Sequence, residues 1–188
     1  ERFNAPGRCI VDHRTWAIVS DGDLMEGIAS EAASLGGHLR LGKLKLIYDR
    51  NHITIDGRTD LCFSEDVGAR FAAYGWHVLH VDDGNDLAAI DAALAAAAAE
   101  TARPSLIVLS TVIADPAPTK RDTSGAHGAP LGADEIRKTK ALLGWPEDQS
   151  FLVPEEAYAD MRGAGARGQA LEAAWQRDID AWSTTQPD

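Results

Sequence analysis

Two side chains with hard oxygen donors, Asp21 and Asn51, each follow an apolar run in the stretch WAIVSDGDLMEGIASEAASLGGHLRLGKLKLIYDRNHITIDG. They stand thirty positions apart. One strand–helix–strand crossover fills that separation and returns the chain to the same edge of a parallel sheet. The two groups then face one crevice. Oxygen ligands at about 2.0–2.6 Å suit Mg²⁺ or Ca²⁺, and the crevice at the strand ends of an open α/β sheet is where phosphate-bearing ligands bind. The main-chain carbonyl of Ile53 offers a third oxygen. Gly22 lets a backbone N–H approach an anion with no Cβ in the way. Asp-Gly, or an Asn after a strand, also marks an ordinary turn; the spacing between the two is what favours a clamp for a cation carrying a diphosphate.

His127 lies between small residues in SGAHGAPLG. It has little to pack against there, so it is a candidate to contact a phosphate or a sugar hydroxyl, or to carry protons near neutral pH. A solvated loop histidine is the plain alternative. His13, His38, His52, His77 and His80 have weaker cases. Glu26 and Glu31 are about 140° apart around a helix, and each reads by default as part of a solvated face. The glycines of the Asp21–Gly57 stretch do not match G-x-G-x-x-G, and Walker A, G-x-S-x-G and CxxC motifs are absent, which disfavours a nucleotide-binding Rossmann module.

The elements that must position these groups follow from periodicity. Residues 16–20 and 44–49 read as buried strands, 76–81 as an alternating strand, and SLIVLSTVI after Pro104 as a central parallel strand. Helices are expected at 24–38, 66–74, 86–100, 133–143 and 168–182. Gly36-Gly37 is expected to end or loosen the first of them, and Gly75 to stop the second. Strands alternating with helices give the doubly wound α/β class. Residues 114–132 form a long loop rich in Pro, Gly and charge. The chain opens on a helix-like tail and closes on STTQPD without a capping element, so further polypeptide is expected on either side.

The 188 residues suffice for one domain with a sizeable core. A net charge of −11 makes nucleic acid and anionic membrane poor partners, and an acidic chain that holds a diphosphate needs a cation between the two. No run reaches the roughly 18 apolar residues of a membrane span. Cys9 and Cys62 read as plain thiols of a reducing compartment, so the expected location is cytoplasmic.

The run from Asp21 to Gly57, together with HGAPLG, resembles the thiamine-diphosphate motif of transketolases. The resemblance continues through RFAAYGWHVL, RPSLIVLSTVI, LGW and AYADM to the last helix. It implies an α/β fold with an open, mostly parallel sheet and helices on both faces. Residues 1–150 would be the thiamine-diphosphate and metal-binding domain, incomplete at its N-terminus, and 151–188 a helical extension or linker toward a second domain. The implied cofactors are thiamine diphosphate and Mg²⁺ (or Ca²⁺). The implied metal ligands are Asp21, Asn51 and the Ile53 carbonyl. Gly22 would meet the diphosphate, Ile55 would pack near the cofactor, and His127 would touch both the diphosphate and the donor sugar as the catalytic residue. Glu26 and Glu31 would lie near a dimer interface.

The implied activity is transfer of a two-carbon ketol unit between sugar phosphates, in the pentose phosphate pathway. Three places depart from the family pattern: Ser20 stands for its first glycine, Arg50 for an acidic residue, and ADPAPTKRD for its usual loop. A Ser20 forced to positive φ would be strained by about 1 kcal/mol or more. The family's upstream histidines, and the glutamate its second domain supplies, are not in this sequence. The chain is therefore expected to be a fragment or a split subunit, inactive without a complementary transketolase segment or subunit in a homodimer or heteromer. Another thiamine-diphosphate enzyme, of the dihydroxyacetone or deoxyxylulose synthase type, and a non-catalytic cofactor-binding or assembly subunit remain as alternatives.

Overall fold

The structure is a computed structural model that describes residues 3–185. The chain divides into two compact units, Arg14–Glu147 and a second made from residues 1–13 with 148–188.

The first unit is built on four parallel strands, β1 (Thr15–Ser20), β2 (Leu44–Arg50), β3 (His77–Val81) and β4 (Ser105–Ser110), in the order β1-β2-β4-β3. Five helices join or follow them: α1 (Asp21–Met25), α2 (Gly27–His38), α3 (Val67–Ala73), α4 (Leu87–Ala99) and α5 (Ala133–Leu142). The central strand β4 is buried on both faces, as its unbroken apolar run requires. Its Leu106 and Val108 join Leu24, Ala33, Val67, Phe71 and Trp76 on the α2–α3 side. The intervening Ile107 joins Ala93 and Ala97 of α4 on the other. Successive strand side chains point to opposite faces, so helices cover both, as expected from the sequence.

Strand register brings the carboxyl ends together. Ser20 pairs with Asp49, and Arg50 with Ser110. Everything just past these positions therefore shares one edge of the sheet. At the opposite end of β2, Lys45 is fully buried; its Nζ donates to the Glu100 carbonyl (2.7 Å) and to Ser105 Oγ (3.1 Å). Burial pulls its pKa below the usual lysine value, against the attraction of the Glu100 carboxylate.

Several boundaries differ from the sequence reading. The helix expected at 24–38 breaks at Glu26, whose ψ of 134° is extended; Gly27 follows, a residue that gains little from helical conformation. Gly36-Gly37 does not end α2, which runs on to His38. These glycines instead admit a close neighbour, since a Cβ on Gly37 would lie 1.9 Å from the Tyr74 carbonyl oxygen. Gly75 does stop α3, at φ +86°, with Trp76 N–H donating to the Phe71 carbonyl at 3.1 Å. Trp76 precedes β3 rather than opening it, and its Nε1 donates to the Ala33 carbonyl at 2.8 Å.

In the second unit residues 3–13 are not helical. Residues 5–8 close a tight turn, and the Asn4 side chain accepts from Ile10 N and Val11 N, both at 2.9 Å. Helix α6 spans Glu155–Thr185, 31 residues, well beyond the expected 168–182. Pro154, Glu155 and Glu156 form a proper helix start, and Gly163, Gly165 and Gly168 are carried inside the helix at about 1 kcal/mol each. Among the described residues no helix is long and apolar enough to cross a membrane.

Candidate functional site at the carboxyl edge of the sheet

Asp21 is the first residue after β1 and opens α1. Ser20 before it is extended, with φ −114°, so the serine stands there without strain. Its N–H and hydroxyl both donate to Asp23 Oδ2, at 2.8 and 2.9 Å. Asp21 itself is 2% exposed. Its Oδ1 accepts the Tyr48 hydroxyl proton at 2.5 Å, and its Oδ2 accepts the His52 N–H at 3.0 Å. His52 lies between Asn51 and Ile53, so the turn after β2 touches the carboxylate directly. His52 adopts φ +61°, the left-handed region, which turns the chain sharply at this point.

Asn51 is half-buried. Its Oδ1 accepts from Ile53 N at 3.0 Å, and its Nδ2 lies 3.4 Å from Asp49 Oδ2. Asp49 in turn accepts the Thr111 hydroxyl from the adjacent strand end. A carboxylate is acceptor-only, so Asp49 faces the amide nitrogen of Asn51 and leaves the oxygen on the other side. Ile53 is 4% exposed and is held by a bridge to Arg58. Ile55 is 70% exposed, on a turn closed by Thr54 N to the Gly57 carbonyl at 2.7 Å. The space before Gly22 is open; a Cβ there would meet only Ser20 Oγ, at 4.0 Å.

His127 is exposed and caps a single 3-10 turn, Ser124–Ala126. No hydrogen bond among the described residues joins it to Asp21 or Asn51. Its loop is nevertheless tied to the Asn51 turn, because Asp122 pairs with Arg58 at 3.2 Å. Glu135 of α5 also fixes the loop, accepting from Thr119 N (2.6 Å), Lys120 N (3.1 Å) and Thr119 Oγ1 (3.0 Å). The Thr119 N–H, first of these donors, holds the Glu135 carboxyl below its usual pKa. Glu26, between α1 and α2, and Glu31 of α2 are exposed.

Several contacts here were not visible in the sequence. Tyr48 is the main one; it was counted only as a strand residue, although a buried tyrosine hydroxyl must find a partner. Burial, then its bond to Asp21, drives its pKa strongly upward, so it stays a proton donor. Arg50, whose Nη2 donates to Ser110 Oγ at 2.6 Å, and the exposed His80 join Asp21, Tyr48 and His52 around a cavity of about 420 Å³. Among the described residues no three His, Cys, Asp or Glu side chains gather as a metal cluster. The expected ligands are instead the Asp21 carboxylate, the Asn51 carboxamide and the main chain, with the Asp49 carboxylate beside Asn51 and Asp60, Glu65 and Asp66 on the cavity wall.

The family "Transketolase, thiamine diphosphate binding domain" matches residues 1–188. A transketolase of Geobacillus stearothermophilus is 49% identical over 187 residues, covering 99% of this chain and 28% of the relative. One of Nostoc sp. is 48% identical with the same coverages. Among solved structures, the transketolase of Leishmania mexicana superposes with a TM-score of 0.93 at 39% identity, over 99% of this chain and 28% of that one. A Pichia stipitis transketolase in complex with sedoheptulose 7-phosphate gives 0.92 at 41% identity, over 98% and 27%. The chain thus spans about 28% of the length of the curated relatives it matches. With likeness in sequence and in backbone over almost every residue, the chain belongs to the transketolase thiamine diphosphate binding domain family.

Proposed function

We propose that this chain supplies the cation-and-diphosphate-binding part of a transketolase, which transfers a two-carbon ketol unit between sugar phosphates. The observation that carries the reading is the 3.0 Å bond from His52 N to Asp21 Oδ2, which joins the Asn51–Ile53 turn to the carboxylate across two neighbouring strands. The residues fit a hard divalent cation, Mg²⁺ or Ca²⁺. Asp21 is buried, yet both of its protein donors are neutral, and no salt bridge among the described residues reaches it. A buried carboxylate without a counter-charge is unfavourable, and a bound cation relieves that. Asp21, Asn51 Oδ1 and the Ile53 carbonyl would hold the metal, and the Gly22 amide would face the diphosphate.

Thiamine diphosphate, when bound, supplies a stabilised carbanion for cleaving the bond beside a ketose carbonyl. This chain's own residues bind and orient it. Ile55, exposed on a rigid turn, offers an apolar surface that excludes water beside the cofactor. His127 would donate a ring N–H to a phosphate or sugar-hydroxyl oxygen, or move a proton there; its loop is tied to the Asn51 turn by Arg58–Asp122 and to α5 by Glu135. The remaining groups would come from other parts of a longer polypeptide or from a partner subunit. Exposed Ile28 and Leu35 on α2 and Leu39 just beyond it, beside Glu26 and Glu31, support an interface there and hence a dimer or heteromer. A cytoplasmic enzyme of pentose phosphate metabolism is the fitting setting.

The test is ketol transfer from a ketose phosphate to an aldose phosphate by the intact protein that contains this chain. Activity is expected only with thiamine diphosphate and a divalent cation, and Asn51→Ala is expected to lower it by at least about tenfold. Full activity of Asn51→Ala, or activity in excess chelator, would contradict the assignment.

A further inference from the structure

We infer that Tyr48 is a positioning residue that fixes the Asp21 carboxylate for cation binding through the hydrogen bond from its hydroxyl to Oδ1. This rests on the reading of Asp21 as a ligand. The carboxylate is gripped at both oxygens by groups from one neighbouring segment, the Tyr48 side chain at 2.5 Å and the His52 main chain at 3.0 Å. Two donors on two oxygens fix its plane. An ionised carboxylate has about four acceptor positions, so each oxygen keeps one for a metal.

Tyr48 is well suited to the task. It is 2% exposed and belongs to the cluster that contains Val67, Phe71, Leu106 and Val108, so its hydroxyl is delivered to one place by a packed ring. Packing alone would be served equally by phenylalanine. What distinguishes tyrosine is the hydroxyl, and the only side chain that hydroxyl meets among the described residues is Asp21. Partners that orient a ligating group typically change metal affinity by about 10–100-fold when removed.

The experiment uses the intact protein that contains this chain, with Mn²⁺ as the cation. Bound Mn²⁺ is read from loss of the free-ion electron paramagnetic resonance signal in the presence of thiamine diphosphate, and ligand-free melting is recorded alongside. Tyr48→Phe is expected to weaken Mn²⁺ binding by about tenfold or more. Leu106→Val, in the same core cluster but away from the site, is the structural control and is expected to lower melting while leaving Mn²⁺ affinity within about twofold. Wild-type affinity in Tyr48→Phe, or an equal loss in Leu106→Val, overturns the inference while Asp21 keeps its role. Retained affinity in Asp21→Asn overturns the ligand reading itself, and the role of Tyr48 with it.

Discussion

Asp21 carries an anionic charge in a nearly closed place with two neutral donors and no counter-ion, an arrangement that stability alone does not favour. An amide there keeps both contacts, accepting from His52 N and donating to a reoriented Tyr48 hydroxyl. Asp21→Asn is therefore expected to stabilise the ligand-free protein, by roughly 1 kcal/mol, and to abolish the rise in melting temperature that Mg²⁺ with thiamine diphosphate gives the wild type. Thermal melts with and without both ligands check this; a less stable variant that keeps the ligand-induced rise would contradict it. At two of the three family departures, Ser20 stands without strain and Arg50 is drawn to Ser110, so the guanidinium lines the cavity wall.

The loop that bears His127 depends on one helix residue. Glu135 is the acceptor for three donors of Thr119 and Lys120, and its carboxyl titrates below the ordinary 4.5 in the folded chain. In the unfolded chain it titrates near that ordinary value. Between the two pKa values the unfolded state binds more protons, so stability rises with pH there. The contribution of Glu135 is thus fully present above about 4.5 and is lost as pH falls through the folded pKa. Glu135→Gln is expected to be less stable than wild type at neutral pH, with the gap closing in acid. Denaturant unfolding at several pH values measures it, and a gap that stays constant would contradict the role.

Element by element, the strands were legible because apolar runs ending at Asp21 and Asn51 have no other economical packing. Asp66 and Asp86 cap α3 and α4, each accepting from the third residue beyond, at 2.9 and 3.0 Å. Gly36-Gly37 was misread because a glycine pair signals both a helix end and a close approach, and only the Tyr74 carbonyl decides between them. The buried Lys45 was invisible for a similar reason, since its acceptors lie 55 and 60 residues away. The spacing of Asp21 and Asn51 announced the ligand pair, but the groups that orient it come from register: Tyr48 and Asp49 are consecutive, point to opposite faces, and reach Asp21 and Asn51 respectively.

For the molecule as a whole, charge and topology point the same way. An acidic chain with net charge −11 repels a diphosphate unless a cation intervenes, and the parallel sheet brings its hard oxygen donors to one edge. The cation is therefore expected to be a condition of cofactor binding rather than an aid to it. The direct measurement is calorimetric titration of thiamine diphosphate into the metal-stripped intact protein, with and without Mg²⁺. Binding is expected only when Mg²⁺ is present. Equally tight binding in chelator would contradict the central claim.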